Sequence, residues 1–262
     1  MTELPSLRAF PNDIHVLVQG ATRGIGLALT QTLLACPQVS TLHATGRSAS
    51  TSCALEDLAR QHPGRLQRHD LDLVDERSIA SCTQAIRTHH PHLHLVLNVS
   101  GVLHDPARGI QPEKKLEHVD PASALHAFHI NALGPLLILK HVVPMLRHDE
   151  RAVVANLSAR VGSISDNRSG GWYTYRATKA AQNQATKSAA IEFRRRAPNA
   201  IIVALHPGTV ATDLSAPFRT SIEEEKVFSP ERAALQLLAV IDGLQAQDSG
   251  AFFSWSGEPI PW

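Results

Sequence analysis

Gly20-Ala21-Thr22-Arg23-Gly24-Ile25-Gly26 is the stretch on which the fold turns. Ahead of it stands Ile14-His15-Val16-Leu17-Val18, a short β-branched apolar run with the composition of a buried strand. Behind it, Leu27-Ala28-Leu29-Thr30-Gln31-Thr32-Leu33-Leu34 is apolar at helical spacing. Strand, glycine turn and helix in that order have a physical use. Glycines let the backbone turn tightly and approach a ligand closely. The helix start then offers unpaired N–H groups and the positive end of its dipole to a phosphate. Three glycines alone could equally make a plain tight connection, and only the downstream blocks discriminate.

The spacing Gly-x-x-x-Gly-x-Gly differs from the Gly-x-Gly-x-x-Gly of long-chain dinucleotide enzymes. It is followed by Asn98-Val99-Ser100-Gly101, by Tyr175-Arg176-Ala177-Thr178-Lys179 and by Pro207-Gly208-Thr209-Val210-Ala211-Thr212. These four blocks, in this order, resemble the short-chain dehydrogenase/reductase family over nearly the whole chain. Within that family the chain is most similar to the C-factor-like and sniffer-like carbonyl reductases. The residues that carry this are Ser158-Ala159-Arg160-Val161-Gly162-Ser163-Ile164, Gly170-Gly171-Trp172-Tyr173, Tyr175-Arg176-Ala177 and Leu205-His206-Pro207-Gly208-Thr209-Val210. The resemblance implies an α/β fold, a doubly wound parallel sheet of about seven strands with helices on both faces.

Length and composition agree. With 262 residues, 43% of them apolar, the chain can build a sizeable core, and no linker, repeat or charge run divides it. A single domain over residues 1–262 is expected. Net charge is +1, which argues against a dedicated nucleic-acid or membrane surface. Met1 to Asn12 has no long apolar core of a signal peptide, and no apolar run approaches the roughly 20 residues that span a bilayer. Cys36, Cys53 and Cys82 have no metal-type spacing, and an odd count suits free thiols in a reducing compartment, by default the cytoplasm. His89, His90, His92 and His94 surround a turn and a strand start and are expected to be solvated, with no metal bound.

Strands are expected at Val39–Ala44, Leu66–Leu71, Leu93–Leu97, Arg151–Ser158, Ala200–Leu205 and Ala251–Trp255. Helices are expected over Ser50–His62, from Asp75, from Asp120-Pro121 to about Arg147 with interruptions at Pro135 and Pro144, from Tyr175 to about Arg196, and from Ser229-Pro230. At the end of the second strand, where NAD-binding members of such folds carry an acid for the ribose 2′-hydroxyl, the chain has Gly46 and then Arg47. Arg23 adds a second cation near the same spot. A guanidinium fork matches a phosphate better than a hydroxyl, so NADP(H) is expected over NAD(H).

The resemblance also assigns residues. It implies a cofactor-contacting set of Gly20, Thr22, Arg23, Gly24, Ile25, Gly26, Arg47, Asp72, Leu73, Asn98, Gly101, Tyr175, Lys179, Pro207, Gly208 and Thr212. Asp72 would meet the adenine amino group and Thr212 the nicotinamide carboxamide. Residues 213–227, with Glu223-Glu224-Glu225, would form a lid over a small carbonyl substrate. A homodimer built on the helices after Asp120 and Tyr175 is implied as well. Tyr175 and Lys179 are i and i+4 on one helix face, and the family uses them as proton donor and its electrostatic partner. Asn131 would sit at a helix kink and anchor a water leading to Lys179. The chain departs from the family where the catalytic serine is expected, since Ala159 occupies that position. Ser158, on the opposite face if the strand stays regular, and Ser163, just past Gly162, are the two replacement candidates.

Hydride transfer to a carbonyl needs a proton for the developing alkoxide. Free tyrosine titrates near 10, so Tyr175 must fall by about two to three units to serve near neutral pH. Lys179 as an ammonium is expected to supply the positive field. The leading expectation is an NADP(H)-dependent carbonyl reductase acting on a ketone, aldehyde or quinone. The alternative, favoured by Ala159, is a dinucleotide-binding sensor or signalling protein with little catalysis.

Overall fold

The computed structural model describes residues 7–221 and 223–262. Residues 1–6 and 222, part of the N-terminal stretch and of the 213–227 segment discussed above, lie outside the described residues. The chain alternates strand and helix: β1 (Ile14–Gln19), α1 (Gly24–Leu34), β2 (Val39–Gly46), α2 (Cys53–Gln61), β3 (Leu66–Asp70), α3 (Glu76–His89) and β4 (Leu95–Asn98). There follow α4 (Pro121–Phe128), a π turn (His129–Leu133), α5 (Gly134–Val142), β5 (Ala152–Leu157), α6 (Tyr173–Arg196) and β6 (Ala200–His206). The short strands β7 (Thr209–Val210) and β8 (Val227–Phe228), α7 (Pro230–Gly243) and β9 (Phe252–Ser254) complete it. Seven strands form one parallel sheet in the order β3-β2-β1-β4-β5-β6-β9. The expected doubly wound sheet of seven strands is therefore present.

Side chains alternate across each strand, which splits the core into two layers. Val16, Val18, Leu95, Leu97, Val153, Val203 and Leu205 pack with Leu29 and Leu33 of α1, Leu55 of α2 and Leu237 and Ile241 of α7. Leu17, Val96, Val154 and Ile202 face the other way, onto Ile79 and Ile86 of α3, Ile138 and Val142 of α5 and Phe193 of α6. Strand order reverses between β1 and β4, the switch point outside whose carboxyl ends ligands bind in open α/β sheets.

Three local expectations need correction. Pro135 does not interrupt its helix. The chain stays helical from Pro121 to Leu146: the Gly134 N–H bonds the His129 carbonyl in a π turn, and Pro135 sits in the first turn of α5, where a missing N–H is tolerated. That helix also has the length and composition of a membrane span, with a mean hydropathy of 1.4, although no single unbroken apolar run announces it. Its inward face fills the core with Ile138, Leu139, Val142, Met145 and Leu146, while Leu125, Leu133 and Leu136 face outward.

The histidines are not all solvated. His94 is 3% exposed and His43 on β2 only 2%, because the sheet face under α3 is built partly from imidazoles. His94, His148 and Glu150 bring potential ligand atoms within 4.8 Å of one another, an arrangement a metal could use. The His15 backbone N–H, however, donates to Nδ1 of His94 at 3.1 Å, so Nε2 carries the proton and donates to Glu150 at 2.8 Å. His148 Nε2 meets the Leu93 carbonyl at 3.0 Å, while its Nδ1 is buried with no hydrogen-bond partner.

Candidate active site

The glycine turn lies at the carboxyl end of β1, and its glycines are required by contact. A Cβ on Gly26 would stand 1.9 Å from the Gly20 carbonyl oxygen. Gly20 adopts a positive φ of 90°, and a Cβ there would meet Ser100 Oγ at 2.5 Å. The turn delivers the start of α1, whose first residues have no side-chain cap, to an open cleft of about 910 Å³. Free helix-start N–H groups beside a cradle that any Cβ would fill suit the pyrophosphate of a dinucleotide.

Most of the cofactor-contacting set lines this cleft: Gly20, Thr22, Arg23, Gly24, Ile25, Gly26, Arg47, Asp72, Leu73, Gly101 and Thr212. Asn98, Tyr175, Lys179, Pro207 and Gly208 do not. Asn98 is buried in the sheet and donates to Asn156 Oδ1 on β5 at 2.7 Å. Gly208 takes a positive φ of 80° and packs bare against Phe228 and Trp255. Arg47 is exposed at the end of β2 and makes no ion pair among the described residues. Arg23 pairs with Asp213 at 2.9 Å, both side chains about three-quarters exposed. A surface pair of this kind contributes at most about 1 kcal/mol, so an incoming phosphate could displace it.

The tyrosine and lysine lie on the first turns of α6. Tyr175 is 9% and Lys179 3% exposed, and Lys179 Nζ stands 6.0 Å from the Tyr175 ring centroid. Lys179 donates to the Leu157 carbonyl at 2.7 Å and to Gln182 Oε1 at 3.0 Å. Its ammonium lies beneath Gly101, where a Cβ would come within 3.6 Å of Nζ. Burial pushes the Tyr175 phenol above its ordinary value and lowers Lys179 to about 7. The protein alone thus sets the pair in the direction opposite to a standing tyrosinate–ammonium pair.

Asn131 occupies the π turn, fully buried. Its Oδ1 accepts from the Val102 N–H at 2.7 Å, and its Nδ2 donates to the Val102 carbonyl at 2.7 Å and to Thr178 Oγ1 at 3.0 Å. It therefore ties the loop after β4 to α6, and it bonds Thr178 rather than Lys179 itself. Ser158 lies one residue past the end of β5 and donates to Asn183 Oδ1 at 2.6 Å inside the core. Ser163 is also buried and accepts from the Asp166 N–H at 3.2 Å. Neither serine lines the 180 Å³ cavity that adjoins Tyr175.

Sequence reasoning missed several residues that the fold brings here. Gln19 is buried at the cleft floor and donates to Ser100 Oγ at 2.9 Å, which gives the unusual Ser100 a partner. Gln182 was legible as the i+3 neighbour of Lys179. Glu113, deep in an otherwise polar loop, carries no local signal of burial. Segment 213–227 closes one side through Asp213, whose carbonyl meets His104 Nε2 at 3.0 Å, and through Phe218, 4.9 Å from Trp172 between ring centroids.

Comparison with known proteins agrees with this geometry. The chain is 39% identical over 147 residues to the C-signal of Myxococcus xanthus, covering 56% of this chain and 83% of that one. The NADPH-bound carbonyl reductase from chicken fatty liver superposes with a TM-score of 0.83 at 28% identity, covering 96% of this chain and all of that one. The carbonyl reductase Sniffer of D. melanogaster superposes with a TM-score of 0.82 at 27% identity, with 96% of this chain and 100% of that one covered. The family model for short chain dehydrogenases matches residues 14–223, and the chain belongs to the short-chain dehydrogenase/reductase family of oxidoreductases.

Proposed function

We propose that this protein is an NADP(H)-dependent reductase of small carbonyl compounds (ketones, aldehydes or quinones) with Tyr175 as the proton donor. The observation that carries this is the buried Tyr175–Lys179 pair packed beneath Gly101, a lining residue of the cleft that also presents Arg47, with Gly46 where a ribose-binding acid would stand. The similar chicken reductase is an NADPH complex, which supports the cofactor choice. The Gly20–Gly26 turn and the start of α1 would hold the pyrophosphate, Arg47 and Arg23 the 2′-phosphate, Asp72 and Leu73 the adenine end, and Thr212 the nicotinamide end. When bound, the cofactor supplies the hydride.

The chain's own residues manage the proton. Tyr175 Oη donates it to the carbonyl oxygen as negative charge develops there. Its raised affinity for that proton keeps the phenol loaded at neutral pH. Lys179, poised near pH 7 by burial, supplies positive charge beside the tyrosinate once the proton has left. Asn131 fixes the Val102 loop and Thr178, and thereby the first turns of α6. Ser158 and Ser163 are left out of the step because Ser158 is bonded to Asn183, Ser163 accepts from the Asp166 N–H, and neither lines the cavity beside Tyr175. We further assign residues 7–262 to one functional unit with 213–227 as its lid. The outward leucines Leu125, Leu133 and Leu136 are read as part of a homodimer surface, and three cysteines without metal-type spacing fit the cytoplasm.

The test is fluorescence titration with NADPH and NADH, together with NADPH oxidation against a panel of quinones, aldehydes and diketones. Tighter NADPH binding and turnover on at least one class are expected. Tight binding with no turnover across the panel would instead support the sensor reading that Ala159 raises.

A further inference from the structure

Tyr175 is the third residue of α6, inside the turn whose backbone N–H groups have no partner within the helix. Such a turn is the part of a helix most ready to fray. It is also poorly started by its own sequence. Trp172 precedes it in the left-handed region with φ of 48° and gives no side-chain cap. Something outside the helix must hold this turn if the phenol is to be fixed.

Glu113 is placed to do so. It lies in the loop between β4 and α4, flanked by the exposed residues Gln111, Lys114 and Lys115, yet it is 6% exposed. Its main-chain carbonyl accepts from the Trp172 N–H at 2.6 Å. One carboxylate oxygen accepts from the Thr174 N–H at 3.3 Å, and the other accepts from the Thr174 hydroxyl. A buried carboxylate is costly unless it is well bonded, and here the helix start supplies both donors and the positive dipole end. Glu113, Thr174 and Tyr175 also line the same 180 Å³ cavity.

We propose that Glu113 is the positioning residue of the tyrosine: it clamps Trp172 and Thr174 from across the loop and so fixes the turn that carries Tyr175. This rests on the proposed function, in which Tyr175 delivers the proton. Small displacements of a reacting group cost about tenfold to a hundredfold in rate, and the clamp touches no part of the glycine turn.

Glu113→Ala and Glu113→Gln are compared with the native protein in NADPH oxidation, using a quinone or diketone that the native protein reduces. NADPH affinity is measured in parallel by fluorescence. Glu113→Ala is expected to lower kcat by about tenfold or more while NADPH affinity stays within about twofold. Glu113→Gln, whose amide oxygen can still accept from Thr174, is expected to recover most of the rate. Thr174→Val, which removes one anchor, should fall between them, and it carries the test if Glu113→Ala does not fold. The proposal is overturned if Glu113→Ala turns over at the native rate, if the glutamine variant is as slow as the alanine one, or if NADPH affinity falls in step with kcat. Tyr175→Phe is run alongside. If it stays active, the proton-donor reading fails and this inference with it; if it is inactive while the Glu113 variants are unaffected, only this inference fails.

Discussion

In the proposed function, Arg47 carries the cofactor preference at the scale of single residues. It projects at the end of β2 with no ion pair among the described residues, and the neighbouring position that would hold a ribose-binding acid is Gly46. Charged hydrogen bonds of the kind a guanidinium makes to phosphate are worth about 1.5–3 kcal/mol each. Arg47→Asp should therefore weaken NADPH binding by roughly 10- to 100-fold and leave NADH nearly unchanged, as read by fluorescence titration. Equal loss for both cofactors would remove Arg47 from the 2′-phosphate site. Residues of this sort were legible because glycine contacts and end-of-strand positions follow from local spacing. Gln19 and Glu113 were not, because their partners lie 81 and 61 positions away in the chain and only the folded sheet brings them close.

Among the elements, legibility followed hydrophobic period. The parallel strands β4, β5 and β6 stand out as nearly continuous apolar runs, since helices cover both their faces. The strand expected to run to Ser158 ends at Leu157, and Ser158 is held instead by its bond to Asn183. The α4–π–α5 helix was harder. Proline reads locally as a break, but a π turn changes the hydrogen-bond register, so Pro135 enters at the start of α5 without a stop. The same turn buries Asn131 and aims its amide at the Val102 loop, which no sequence period encodes.

The molecule as a whole carries an acid sensitivity that composition shows only as a histidine count. His43 lies under α3, its Nδ1 3.0 Å from Nε2 of His69, and burial lowers it to about 3. His15, His69, His90 and His94 are also lowered, with burial the largest cause in each. Because the unfolded chain binds these protons near the ordinary histidine value of about 6.5, stability is complete above that pH and declines as pH falls toward the folded values. Between about pH 7.5 and about pH 5.5, His43 alone should account for about 1.4 kcal/mol of the loss. Denaturant unfolding of His43→Gln should show that much less decline than the native protein. An equal decline in both would mean that His43 does not contribute to this sensitivity.

In the proposed mechanism the assembled cleft works through one phenolic proton, and Tyr175→Phe removes that proton alone. The change keeps the buried ring and removes only Oη. NADPH affinity should stay within about twofold of native, while reductase turnover should fall by at least about 10²-fold, the scale of a missing general acid. Near-native turnover in Tyr175→Phe, on a substrate the native protein reduces, would rule out Tyr175 as the proton donor and leave Tyr175 and Lys179 as a buried helix-face contact.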